Sequence, residues 1–189
     1  MSSAEWSGLI AEEADARVKA WTPLWRTASR AEATAILRTT RDVTDSLIDG
    51  VPAKGMEEIG PLGGGAWSLK DFIGHLASVE EAALVVLGVR RSPSVPEPRT
   101  TAEINALRIA RKRAWSLARV RKDAAAVRND LMNAIAEATD ARWLEKVDTA
   151  RGRSALGLVL GKVLTGEKYG YYAHDLAHYK DLKRATASK

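Results

Sequence analysis

The segment Tyr171-Tyr172-Ala173-His174-Asp175-Leu176-Ala177-His178 contains two of the three histidines in this 189-residue chain. In an α-helix, two residues four positions apart lie on the same side, separated by about 6 Å of rise. A single metal ion can therefore bind both imidazoles. The third histidine, His75, lies in a second apolar segment with helical spacing. Three neutral imidazoles from two helices predict a metal site that keeps open positions for water or substrate.

The apolar spacing around these histidines predicts one long final helix, from Ser154 to about Leu182. One side of that helix carries Leu156, Leu160, Val163, Glu167, Tyr171, His174, His178 and Asp181. This side changes from aliphatic to ionisable partway along, which predicts a core at one end of the helix and a site at the other.

Several polar side chains are candidates for roles around the metal. Glu167 is the candidate acid, base or water-orienting group, and Tyr171 is the candidate hydrogen-bond donor. Taken singly, each of these two is also explained by a structural contact with a neighbouring helix. Asp71 and Asp181 are candidates for orienting the ligand imidazoles. Asp175 projects about 100° away from the histidine side and is expected at the surface or behind a ligand.

Helix-capping signals divide the rest of the chain. A first helix is predicted to end at about Ala20. Three further helices are predicted to begin at a serine or threonine that is followed three residues later by an acid. These pairs are Ser29 with Glu32, Ser68 with Asp71, and Thr100 with Glu103. The helix that begins at Thr100 is predicted to reach about Ala138, with a bend or break near Arg121.

The segments between these helices are predicted to be loops. Residues 52–66 are rich in glycine and proline and are expected to form a flexible connector, and residues 91–100 an extended loop. No segment has convincing strand character. The chain is therefore predicted to be all-α, a bundle of four long helices with an additional N-terminal helix. Residues 1–25 would form the N-terminal extension and residues 26–189 the bundle, within one globular domain.

The composition limits the chemistry. Cysteine is absent, which excludes disulfides, thiolate metal ligands and a cysteine nucleophile. The net charge of +5 permits an anionic partner. The basic residues from Arg108 to Arg128 are expected on a solvated helix exterior, since they point around most of the helix, whereas nucleic-acid binding needs a single basic face. No apolar run is long enough to span a membrane and no secretory signal is present, so a cytoplasmic protein is expected.

The histidines themselves admit two interpretations. A single histidine on an apolar helix face is more often a core residue with a hydrogen-bond partner than a metal ligand. A pair with a spacing of four is common by chance. The fact that all three histidines of the chain face inward favours a metal site. The residues alone leave both interpretations open.

Two motifs resemble those of a known family. The stretch Trp67-Ser-Leu-Lys-Asp71-Phe-Ile-Gly-His75-Leu76 is similar to the Trp-Ser-x-x-Asp-x-x-x-His-Leu signature of the DinB-like (DNA-damage-inducible) superfamily. The segment His174-Asp-Leu-Ala-His178 is similar to the His-x-x-x-His motif of its last helix. The spacing between the motifs is also similar, and the resemblance covers roughly residues 30–182. This superfamily includes bacillithiol transferases and the metal-binding domain of mycothiol-dependent maleylpyruvate isomerase.

The resemblance implies a four-helix bundle of up-down-down-up order, a metal on His75, His174 and His178, and a homodimer. Zinc or nickel suits three imidazoles. The implied function is a metal-dependent enzyme that acts on a reactive small molecule, either as a transferase that uses a thiol such as mycothiol or as a hydrolase, in detoxification or resistance. The alternative is a protein that binds or sequesters a small molecule without turnover, or a dimeric scaffold, with a structural metal or none.

Overall fold

A computed structural model describes residues 3–90 and 100–187. The helices and strands of these residues, in chain order, are α1 (Ser3–Lys19), α2 (Arg30–Ile48), α3 (Ala53–Glu57), β1 (Ile59–Leu62), β2 (Trp67–Ser68), α4 (Leu69–Val86), α5 (Thr101–Arg113), α6 (Leu117–Glu137), α7 (Asp140–Leu144), β3 (Lys146–Thr149), β4 (Gly152–Ala155), α8 (Leu156–Val163) and α9 (Tyr179–Ala187). Two 3-10 turns, Glu167–Tyr169 and His174–Leu176, lie between α8 and α9. In the described ranges, no helix has the length and apolar character that a membrane span needs.

The predicted all-α bundle is confirmed, and contacts between the helices give its order. Arg30 at the start of α2 binds Asp140 beyond the end of α6, so these two helices are antiparallel. Gly74 early in α4 faces Val120 early in α6, so α4 and α6 are parallel. The fourth element, formed by α8 and then α9, runs from the end of α6 toward the end of α2. The elements α2, α4, α6 and α8–α9 therefore run up, down, down and up.

The helix starts follow the local sequence. Ser29, Ser68 and Thr100 each form a complete capping box with the acid three residues later, as predicted. The break in the third long helical segment was predicted near Arg121, but it lies at Ala114–Ser116, where Ser116 caps α6. Of the predicted loop at 91–100, residues 91–99 lie outside the described residues.

The prediction that the chain has no strands and a flexible 52–66 connector was wrong. Strands β1 and β2 form an antiparallel hairpin around Gly63-Gly64-Gly65, and β3 and β4 form a second one. Gly63 has φ +58°, and a Cβ there would lie 2.3 Å from the Trp67 ring. The glycine turn therefore folds tightly over Trp67 and fixes its position instead of acting as a flexible link.

The predicted continuous helix from Ser154 to Leu182 was also wrong. α8 ends at Val163, and the chain turns through two glycines before α9 begins at Tyr179. A Cβ on Gly166 would lie 2.1 Å from the Ala173 carbonyl oxygen. Gly170 has φ +95° and pairs with Leu24 of the N-terminal segment. These close approaches form only in the folded chain, so the helical spacing of the sequence concealed the break.

Two apolar cores pack at opposite ends of the bundle, and a buried polar layer separates them. The first core includes Leu47, Leu69, Phe72 and Leu182. The second core includes Leu37, Leu84, Leu131, Trp143 and Leu160. The layer between them contains the buried side chains Thr40, Thr44, His75, Ser78, Glu80 and Asp175. The final helix was predicted to have a core at one end and a polar site at the other, but apolar cores lie on both sides of the polar layer.

Three charged residues that were expected at or near the surface lie inside the bundle. Arg128 and Lys112 were placed on a solvated helix exterior, but Lys112 is 2 % exposed and binds Glu81 and Asp123. Arg128 is largely buried and binds Asp175 at 2.7 Å. Asp175 was expected at the surface or behind a ligand, and the surface alternative is wrong. It is 4 % exposed, because two guanidinium groups compensate its charge inside the bundle.

The N-terminal helix packs against the bundle. Asp15 of α1 accepts hydrogen bonds from Tyr179 and Lys183 of α9. After α1, the Trp21 indole donates to the Tyr169 carbonyl oxygen at 2.7 Å. The backbone N–H of Tyr171 donates to the Leu24 carbonyl oxygen, also at 2.7 Å. The N-terminal segment thus holds the irregular stretch that leads to the two C-terminal histidines.

The contact between Gly157 and the buried Trp143 ring gives a test of the second core. A Cβ on Gly157 would lie 2.4 Å from the Trp143 indole nitrogen. We expect Gly157→Ala to lower the free energy of unfolding by about 1–3 kcal/mol in urea denaturation, because the core has no room for the methyl group. Gly74→Ala is the matched control in another helix, since its Cβ would meet its nearest neighbour at 3.6 Å. A Gly157→Ala protein as stable as the control would contradict the described packing.

Candidate metal centre

The three histidines come from two parts of the bundle. His75 lies in the second turn of α4, whose start is fixed by the Ser68 and Asp71 capping box. His174 begins the 3-10 turn that ends at Leu176, and His178 directly precedes α9. The His-x-x-x-His segment is therefore not part of one regular helix. Its two rings nevertheless lie 6.0 Å apart, between their centroids.

The predicted convergence of the three rings is present. The His75 centroid lies 5.1 Å from that of His174 and 5.3 Å from that of His178. One nitrogen from each ring lies within 4.8 Å of the others. His75 is buried, and the other two are partly buried. The histidines therefore form an inward-facing cluster at the polar layer.

A hydrogen bond fixes the tautomer of His174. Its Nδ1 lies 3.0 Å from the Thr165 carbonyl oxygen, which can only accept, so Nδ1 carries the proton. The neutral ring then presents a lone pair at Nε2, which lies 3.1 Å from His75 Nε2. A metal-binding histidine characteristically donates its other ring nitrogen in this way.

These residues fit a divalent ion. Two nitrogens that each lie about 2.0–2.1 Å from one tetrahedral metal are roughly 3.3 Å apart, close to the 3.1 Å between the Nε2 atoms of His75 and His174. The three ligand nitrogens all lie within 4.8 Å of one another. Among the described residues the buried Nδ1 of His75 has no hydrogen-bond partner, so the polar contact of this ring is the one between its Nε2 and His174.

Burial keeps the three rings neutral. It lowers the pKa of His75 to about 2, with further contributions from His174 and His178. Burial also lowers the pKa of His174 and of His178. A neutral imidazole is the form that binds a metal, so the cluster is prepared for an ion at physiological pH.

Two aromatic rings form walls of the cluster, and neither was predicted as part of the site. The Trp67 centroid lies 4.8 Å from that of His75 and 5.6 Å from that of His178. The Phe72 ring meets His178 edge-on at 5.8 Å. Phe72 is recognisable from the sequence as one turn before His75. Trp67 precedes the helix, and its position depends on the hairpin, which the sequence pattern did not reveal.

The remaining candidate residues, Glu167, Tyr171 and Asp181, differ in exposure and in the groups they contact. Glu167 is exposed in the first 3-10 turn, and its charge opposes the lowered pKa of His174 and His178. Tyr171 is partly buried, with its ring edge-on to Trp25 at 5.3 Å. Asp181 pairs with Arg184.

Asp71 was a candidate for orienting an imidazole, but the structure assigns it another role. Its carboxylate accepts hydrogen bonds from the Ser68 backbone N–H at 3.1 Å and from Arg113 at 2.8 Å. Asp71 thus fixes the start of α4 and ties it to α5. It supports His75 through the helix, not through contact with the ring.

Comparison with known proteins gives the family. The sequence model of the DinB superfamily matches residues 36–164, more than half of the chain. The chain belongs to the DinB superfamily. The matched region of this DinB protein contains His75 and ends before His174 and His178, so the family model covers one of the three histidines. No curated protein sequence matches the chain.

A solved structure supports the fold. The crystal structure of the mycothiol-dependent maleylpyruvate isomerase is similar to this DinB protein, with a TM-score of 0.61 and 18 % sequence identity. The match covers 83 % of this chain and 62 % of the isomerase chain. The chain therefore spans less than two thirds of that enzyme. At this identity the likeness shows a shared fold.

A cavity lies beside the two arginines that bind Asp175. It has a volume of about 780 Å³ between α2 and α6, and its lining includes Thr44, Asp45, Leu76 and Arg128. None of the three histidines is among its lining residues.

The lowered pKa of His75 predicts acid sensitivity of the metal-free protein. The unfolded chain binds a proton at about pH 6.5, whereas folded His75 does so only near pH 2. A histidine with a lowered pKa contributes stability above pH 6.5, and this stability is lost as the pH falls. Between pH 7 and 5 we expect the wild type to lose about 2 kcal/mol more unfolding free energy than His75→Asn. If urea denaturation gives the wild type and His75→Asn the same loss of unfolding free energy between pH 7 and 5, the neutral, buried state of the His75 ring is contradicted.

Proposed function

We propose that this DinB protein is a metal-dependent enzyme that acts on an electrophilic small molecule. In this proposal His75, His174 and His178 hold one divalent ion, zinc or nickel. The reaction is the transfer of a low-molecular-weight thiol such as mycothiol, or hydrolysis, in the detoxification of a reactive compound. The observation that carries the proposal is the convergence of three neutral imidazole nitrogens within 4.8 Å inside the bundle.

The donor set indicates the type of chemistry. A divalent ion on three neutral imidazoles keeps its full positive charge, so it lowers the pKa of a bound water or thiol and stabilises anionic ligands. The protein supplies the orientation. Thr165 fixes the His174 tautomer through the 3.0 Å contact at Nδ1. Trp67 and Phe72 limit access of solvent from one side, because their rings lie against those of His75 and His178.

Glu167 and Tyr171 are proposed to assist the reaction. Glu167 lies in an exposed turn whose backbone has φ +53°, a conformation that is uncommon for a residue with a side chain. In the proposal its carboxylate takes or returns a proton at the rim of the site. Tyr171 donates a hydrogen bond from its hydroxyl to the substrate. The support for both roles is their position in the chain between Thr165 and His174, the two ends of the loop that holds the metal histidine.

A second candidate function is ligand sequestration without turnover. The cavity of about 780 Å³ between α2 and α6 favours it, because this volume suits a small molecule and none of the three histidines lines it. A ligand retained there through purification, in a protein without bound metal, would support sequestration. A homodimeric assembly is compatible with either function and is tested by the solution mass.

Metal binding is the first prediction of the proposed function. We expect the protein, stripped with chelator and dialysed against zinc, to retain one zinc per chain by elemental analysis. His178→Ala should lose most of this zinc, because two imidazoles alone bind a metal far more weakly. Lys180→Ala, two residues away and exposed, is the matched control and should retain it. Equal zinc in all three proteins would refute the assignment.

The roles of Glu167 and Tyr171 give a kinetic prediction. With a substrate found by screening electrophiles with and without thiol, Glu167→Gln should lower kcat by about 10²-fold, since a proton-transfer group contributes roughly 10²–10⁴-fold. Tyr171→Phe should reduce kcat/KM while zinc content stays at one per chain. The exposed neighbour variant Lys168→Gln is the control. Full activity in Glu167→Gln would remove this residue from the mechanism.

A further inference from the structure

Four charged side chains form a buried cluster behind His174. Arg41 of α2 binds Asp175 at 2.6 Å and Glu80 of α4 at 2.8 Å. Arg128 of α6 binds Asp175 at 2.7 Å and lies 3.1 Å from Glu80. The side chains of Glu80 and Asp175 are only 4 % and 5 % exposed. The two arginines and the two acids thus alternate in a ring of ion pairs. This ring joins three long helices to the 3-10 turn of His174.

The cluster lies next to the metal centre in the chain. Asp175 directly follows His174, so the two arginines that hold the Asp175 carboxylate also fix the backbone from which the His174 ring projects. Thr44 of α2 adds a hydrogen bond to the Asp175 carbonyl oxygen at 3.3 Å. On the other side, Thr165 holds the ring at Nδ1. The His174 residue is therefore fixed from two directions.

The backbone before His174 is irregular and does not by itself fix the orientation of the ring. The residues before His174 do not form a regular helix, since Gly170 has φ +95° and Tyr172 has φ +65°. No regular helix therefore sets the direction of the His174 ring. The ion pairs of Asp175 join the turn His174–Leu176 to α2 and α6.

Stability alone does not account for the cluster. Burying ion pairs of this kind often gives no net stability over apolar side chains of similar size. Here the pairing is incomplete, because Glu80 Oε2 and Arg128 Nη1 make no hydrogen bond within the described residues. Burial also raises the pKa of Glu80 to about 7 despite the two nearby arginines, so the charged form of this carboxylate is costly at this position. Because these four buried charges add little net stability, we infer that they are retained for the position in which they hold the turn of His174.

We propose that Arg41, Arg128 and Glu80 are positioning residues, which act through Asp175 to hold His174 in the orientation that completes the three-histidine site. This inference rests on the proposed metal centre and assigns it a support that reaches from α2 and α6. The cluster does not touch the metal. It determines the affinity and the coordination geometry of the site by fixing one ligand.

The test uses cobalt(II), whose visible absorption reports the coordination geometry of a metal that replaces zinc. Asp175→Asn keeps the size of the side chain and removes the charge that the two arginines hold. We expect it to bind cobalt about tenfold more weakly than the wild type, by titration, with altered visible bands. Arg41→Lys keeps a positive charge but cannot bridge both carboxylates, and it should show a smaller change in the same direction.

A matched control separates positioning from general destabilisation. Leu37→Ala truncates a buried side chain of α2 outside the cluster, and it lowers stability without touching Asp175. Its cobalt affinity and visible bands should equal those of the wild type. If Asp175→Asn does not fold, Arg41→Lys and Thr44→Val provide the comparison, because both leave the carboxylate in place.

The outcomes distinguish this inference from the proposed function. A wild-type protein that takes up no cobalt or zinc refutes the metal centre and the positioning role together. A wild type that binds cobalt, with cluster variants of unchanged affinity and spectrum, refutes only the positioning role. A Leu37→Ala protein that loses as much affinity as Asp175→Asn also refutes it, because the effect would then follow stability.

Discussion

The paired contacts of Asp175 with Arg41 and Arg128 close the bundle at its middle. Residues from α2, α4 and α6 meet the C-terminal segment at this one point, and the apolar cores pack on either side of it. A charged group buried without such partners would be strongly destabilising. The polar layer therefore requires these helices to keep their relative positions, and the three histidines occupy the same layer.

The site follows from this arrangement. Capping at Ser68 fixes the start of α4 and hence His75. The hairpin before it places Trp67 against the imidazoles. Contacts from the N-terminal segment to Tyr169 and Tyr171 shape the chain that leads to His174. The imidazoles are thus placed by two separate parts of the fold, and burial lowers the pKa of all three rings.

The sequence predicted what depends on local interactions. The capping boxes are local, and so the starts of α2, α4 and α5 were correct. The three histidines were grouped correctly because few inward-facing ligands exist and two motifs matched a family. The prediction of a continuous final helix was wrong because the break in that helix depends on contacts distant in sequence, such as Gly170 with Leu24. The partners of Asp175 were missed because an arginine on a helix gives no sequence signal that it is buried.

The central claim is that one metal ion binds all three imidazoles of this DinB protein. Its most direct test is a crystal structure of the zinc-loaded protein with an anomalous difference map at the zinc edge. We predict a single strong peak about 2.0–2.1 Å from one nitrogen each of His75, His174 and His178. A map without a peak at this cluster, or with a peak that leaves His75 uncoordinated, would contradict it.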